Sequence, residues 1–143
     1  MLPSGITGFG DWESQPTFQG GAGAFRRLSY ALARQLSGEV LSLDLDLAGK
    51  NFYAAKIQTR QGEIYLLENA PFAWVAFARS LEFGEIAFTE PPCSLPEDCH
   101  VLSLQMLQKD WQEEAGALGK AELAQIAYWK PRTVGQIVFN SWD

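Results

Sequence analysis

Residues 51–69, "NFYAAKIQTRQGEIYLLEN", decide the fold. Two strand-like runs rich in aromatic and aliphatic residues flank a short polar segment, Arg60–Gly62, and the glycine there supplies the backbone freedom that a tight reversal needs. This is a β-hairpin, and it commits its neighbours to antiparallel pairing. Just upstream, "VLSLDLDLAG" (40–49) alternates Leu41, Leu43, Leu45 and Leu47 against Ser42, Asp44 and Asp46, the period of two expected of a half-buried strand. Downstream, "FAWVAFAR" (72–79) and "FGEIAFTE" (83–90) are two further strands. The first has Phe72 and Trp74 on one face and Val75 and Phe77 on the other, so it should be a covered central strand or an interface strand.

Helical periodicity brackets these strands. In "AFRRLSYALARQL" Phe25, Leu28, Leu32 and Leu36 recur at spacings of three and four, with Arg26 and Arg27 off the stripe and Gly38 as the stop. After "EPPCSLPED" the pattern changes to helix. Leu104, Leu107 and Trp111 fit one helix, and Leu123, Ile126 and Ala127 fit another that Pro131 ends. Residues 1–23 form a lead-in rich in Gly, Ser, Thr and Pro. The expected fold is a single α+β domain over 1–143. It has a mainly antiparallel sheet of about five strands, an early helix and a helical C-terminal third.

The last residues, "YWKPRTVGQIVFNSWD" (128–143), are unusually aromatic for a chain end. Thr133 and Gln136 match a capping box, and Val134, Ile137, Val138 and Trp142 fall on one helical face, so Thr133–Trp142 reads as a docked helix with Trp142 buried. A strand over "QIVFN" is the alternative, because Ile, Val and Phe also favour strands. The ending serves core closure in the first instance and a partner-binding face in the second. Its pattern, W-K-P-x-x-V-G-x-x-x-F-N-x-W-D from Trp129 to Asp143, resembles the ending of small bacterial proteins of uncharacterised function. The resemblance implies a bacterial origin and carries no activity with it.

Composition narrows the function classes. A net charge of −6 opposes binding to phosphate backbones, and only Arg26, Arg27 and Arg34 cluster, so nucleic acid is not an expected partner. The start of the chain has no basic n-region or apolar h-region and already carries Asp11 and Glu13, which argues against a signal peptide and for a cytoplasmic location. The longest apolar stretch, Ala70–Ala78, is about half of what a membrane helix requires.

Four sets of residues are candidates for chemistry. Gly20–Arg27 sets a glycine-rich turn before a helix, so Gly21 and Gly23 with Arg26 and Arg27 could receive an anion, although Arg26 stands where a dinucleotide fingerprint needs its third glycine. Asp44 and Asp46, roughly 7 Å apart on one side of a strand, could do acid–base work or hold a cation, and they equally suit a solvated strand face. "CSLPEDCH" gathers Cys93, Cys99 and His100, but a single C-x₅-C-H lacks a second ligand pair, and Ser94 with Glu97 fits a helix capping box better. No cofactor, metal or catalytic constellation is therefore expected. The fourth set is electrostatic. Between Glu82 and Glu122 stand nine acids and two lysines, a net of −7, with Glu82, Glu85, Glu113, Glu114 and Glu122 expected at exposed positions. Such a face steers a basic protein, as inhibitors and immunity-type partners do, and it also simply keeps a protein soluble.

Overall fold

The computed structural model describes residues 1–10, 21–82 and 85–142. Its centre is the hairpin of residues 51–69. β2 (Phe52–Thr59) and β3 (Gly62–Asn69) pair without interruption from Phe52↔Asn69 to Thr59↔Gly62, and Gly62 takes φ +119°, a value L side chains rarely adopt. β1 (Glu39–Asp44), β4 (Val75–Glu82) and β5 (Glu85–Thr89) complete a five-stranded antiparallel meander in the order β1-β2-β3-β4-β5. The α+β expectation holds.

The central strands are apolar on both faces because both faces are covered. Tyr53, Ala55, Ile57, Leu66, Val75 and Phe77 pack under α1 (Ala22–Gln35), where Phe25 stacks on Tyr53 with centroids 5.6 Å apart. Phe52, Ala54, Leu67, Ala76 and Ala78 meet the C-terminal elements: α2 (Leu104–Gln108), a 3₁₀ turn (Trp111–Glu114), α3 (Lys120–Trp129) and α4 (Val134–Val138). Alternate side chains thus feed two separate cores across one sheet. Leu2 and Ile6, inside what the sequence presents as a lead-in, are buried in the second of these.

Several local expectations are corrected. α1 does not stop because Gly38 adopts a left-handed conformation; Ser37 does that, with φ 56°, and Gly38 is required because a Cβ there would lie 1.8 Å from the Gln58 carbonyl oxygen. β1 ends at Asp44 and carries a register shift between Val40 and Ser42 that leaves Leu41 exposed; Leu43, Leu45 and Leu47 still alternate, partly buried, against exposed Ser42, Asp44 and Asp46, although the last two leucines lie beyond the strand. Phe72 and Trp74 precede β4 in a turn that the Asn69 side chain organises by accepting from the Phe72 N–H at 2.9 Å. No helix starts at Ser94. That segment instead runs back beside the start of β4, where the Val75 N–H donates to the His100 carbonyl, and the cap belongs to Ser103 at α2. The helix expected through Leu104, Leu107 and Trp111 is broken at Lys109, whose backbone is extended. The Thr133–Gln136 capping box is present, but α4 ends at Val138, and Trp142 lies beyond it, half-buried.

Both chain ends are tied to the sheet by a buried amide network. Asn51 and Asn69 each donate to the Ile6 and Val138 carbonyls. Asn140 donates to the Thr7 and Ile137 carbonyls, and its N–H reaches Asn51 Oδ1 at 2.8 Å. Each amide is satisfied, so burial costs little and fixes where residues 139–142 lie.

Candidate binding site

Pro131 cannot extend α3, and Lys130 before it takes the left-handed conformation (φ 54°) that turns the chain toward α4. α4 in turn gives way to extended backbone at Phe139, and the Asn140 side chain accepts from the Trp142 N–H at 3.3 Å. The result is an open cleft of about 660 Å³. Glu85, Ile86 and Phe88 of β5 form one wall; Trp129, Lys130 and Pro131 form another; Gln136 and Phe139–Trp142 complete it.

Its aromatic lining is ordered. The Trp129 and Trp142 rings are parallel to within 4° with centroids 6.4 Å apart, and Phe139 packs against Phe88 at 5.7 Å and Phe52 at 5.9 Å. Trp129 donates its indole N–H to Gln125 and remains 39% exposed, beside Tyr128 at 76%. Large aromatics left open at the end of a helix are what a binding surface uses, since they bury much area at little entropic cost. Trp142 also lines a smaller hollow of about 320 Å³ with Phe9, Lys50 and Asn51, so it stands as a partition between two depressions.

The hairpin beside the cleft carries a like-charged pair. Glu82 and Glu85 are exposed and sit directly opposite each other across β4 and β5, a like-charged cross-strand pair that weakens the hairpin in isolation. Neither belongs to an ion pair among the described residues.

The other acids expected on this face behave differently. Glu113 is exposed. Glu114 accepts from the chain's amino terminus at 2.9 Å and from Lys109 at 3.1 Å, which together hold its carboxyl below the usual range. Glu122 is not exposed at all. At 1% exposure it accepts from the Gly5, Thr7 and Gly119 N–H groups and from the Thr7 hydroxyl, because it is the residue that closes the N-terminal turn of α3 onto the first loop. It is a structural acid, and sequence periodicity did not distinguish it from its solvated neighbours.

The glycine-rich candidate lies at the start of α1, with Gly20 outside the described residues. Gly21 is the N-cap with no side-chain cap, Gly23 is in the first turn beside the Arg27 side chain, and Arg26 rests over the Tyr30 ring at 5.9 Å. Asp44 pairs with Lys50. Burial pushes its carboxyl up, yet the Lys50 ammonium and the Asp46 N–H outweigh that and hold it below its ordinary value. Asp46 accepts from the Ala48 N–H, so these two acids organise the β1–β2 turn. The aromatic cleft and the hollow beside it contain neither Gly21–Arg27 nor Asp44 and Asp46.

Cys93 and Cys99 are free thiols, half-buried, and burial raises both, which disfavours the thiolate. His100 stacks on Trp74 at 4.2 Å and 7°, with burial lowering its affinity for a proton. Among the described residues no three His, Cys, Asp or Glu side chains converge on a point that could hold a metal ion. Glu68 is the exception to polar satisfaction. It is 6% exposed, its Oε2 has no hydrogen-bond partner among the described residues, and burial pushes its carboxyl up to about 7.

No helix among the described residues is long and apolar enough to cross a membrane. No protein family, curated protein or solved structure matches this chain.

Proposed function

We propose that this chain is a non-enzymatic, acidic protein-binding module of a bacterial cytoplasm, of the inhibitor or immunity type, which engages a basic partner over the aromatic cleft. The observation that carries the reading is the pairing of two half-open indoles, Trp129 and Trp142, with an uncompensated Glu82–Glu85 pair on the adjoining hairpin. Interfaces concentrate their energy in aromatic anchors that a partner can desolvate, and flanking charges govern the rate of encounter. Glu113 is a further exposed acid, whereas Glu122 supports the scaffold from within.

The test is binding kinetics with a partner recovered from the source cell. Association should slow as ionic strength rises to about 0.15 M and the screening length falls to roughly 8 Å, while dissociation changes less. Trp129→Ala should raise the dissociation rate on the order of tenfold or more, as the loss of an aromatic anchor does. A salt-independent association rate, or a partner that is itself acidic, overturns the reading.

A further inference from the structure

We propose that the partner's contact includes an extended, basic segment that adds as a sixth strand to the open edge of β5, with alternate side chains dropping into the aromatic cleft. This rests on the protein-binding reading above and specifies its mode. The sheet has two edges, β1 and β5. β1 is broken by its own register shift at Leu41, a feature that discourages pairing. β5 has none; the irregularity in the β4–β5 ladder falls on β4, between Ala78 and Ser80. Among the described residues, Glu85–Thr89 make no backbone hydrogen bonds beyond their ladder with β4. In an antiparallel ladder every second residue turns its N–H and C=O away from the partner, so β5 presents unpaired groups along its outer side.

The cleft lies where an added strand would use it. Ile86 and Phe88 share one face of β5 and both line it. A strand about 4.8 Å further out would place every second side chain over that same face, against Trp129 and Trp142.

Charge selects the occupant. Glu82 and Glu85 oppose each other at the end of the hairpin, so a lysine or arginine set between them turns a repulsion into a bridged pair. A second copy of this chain supplies no such cation through the same edge, because β5 itself carries no lysine or arginine and the protein's net charge is −6. Lys130 is on the opposite wall, which leaves Glu85 as the charge on the edge strand itself, with Glu82 beside it on β4.

The experiment selects twelve-residue peptides from a random displayed library against the intact protein, then synthesises the enriched sequences with their amides N-methylated at odd or at even positions. The expected result is enrichment of lysine and arginine among alternating apolar residues, and weaker binding to Glu82→Gln/Glu85→Gln. One methylation parity should lose about tenfold or more in affinity while the other is tolerated, because only one set of amides faces β5. Amide exchange should slow over Glu85–Thr89. Absence of any enriched peptide, enrichment of acidic peptides, equal tolerance of both parities, or unprotected β5 amides each overturn strand addition. The broader reading fails separately, through the salt dependence of the whole partner's association.

Discussion

Thr7 and Glu122, 115 residues apart in sequence, meet in the core: the Thr7 hydroxyl donates to Glu122 Oε2 at 2.6 Å and the Thr7 N–H to the same oxygen at 3.0 Å. The other oxygen, Oε1, takes the N–H groups of Gly5 and Gly119. One carboxyl group thus holds the first loop to the start of α3, and every partner is a donor.

Glu122→Gln should therefore be costly despite its small change in shape. Its amide NH₂ would face donors in place of one oxygen, leaving buried groups unpaired, at about 2–4 kcal/mol. Urea denaturation measures it; a midpoint equal to the parent's would refute the structural role.

Glu68 gives stability a pH dependence of the opposite sense to most carboxylates. Its folded-state value of about 7 lies above the ordinary 4.5, so its favourable contribution is complete below pH 4.5 and declines as pH rises through the folded value. The span corresponds to up to about 3 kcal/mol. Glu68→Gln should flatten the pH profile between those limits and stabilise the protein above pH 7. Chemical denaturation of both proteins across that range decides it, and parallel profiles would show that Glu68 ionises freely in the fold.

Removing residues 133–143 deletes Val134, Ile137 and Val138, each fully buried, together with Phe139. The loss should exceed about 4 kcal/mol, more than most domains tolerate. By contrast Trp142→Ala, at a half-buried position, should cost only about 1–2 kcal/mol. Thermal melts rank the two, and a truncated protein that melts with the parent would mean that α4 is not docked.

At Gly38, a methyl group would meet the Gln58 carbonyl oxygen at 1.8 Å and the Gln58 carbonyl carbon at 2.9 Å, both backbone atoms of β2 that cannot rotate aside. Gly38→Ala should thus destabilise by roughly 2–3 kcal/mol as α1 is pushed off the sheet. Gly21→Ala, where no atom lies within 4 Å of the added carbon, is the steric control and should cost only about 1 kcal/mol or less, the loss of a favourable N-cap residue.

By itself the sequence determined the architecture: the hairpin around Arg60–Gly62, the doubly covered Val75–Ala78 strand, the early amphipathic helix and the Thr133–Gln136 cap. These follow from local chemistry, namely hydrophobic period, turn glycines and capping side chains, all read within a few residues of one another. What lay beyond its reach depends on distant segments meeting. Glu122 and Glu113 are alike as letters, yet four donors, three of them from the first loop, bury one and leave the other in water. Trp129 and Trp142 sit thirteen positions apart with a proline and a helix between them; only the Asn140 anchor and the turn at Lys130 bring their rings parallel beside β5. The cleft was therefore decided by tertiary structure, because neither periodicity nor spacing encodes which exposed aromatic faces which strand edge.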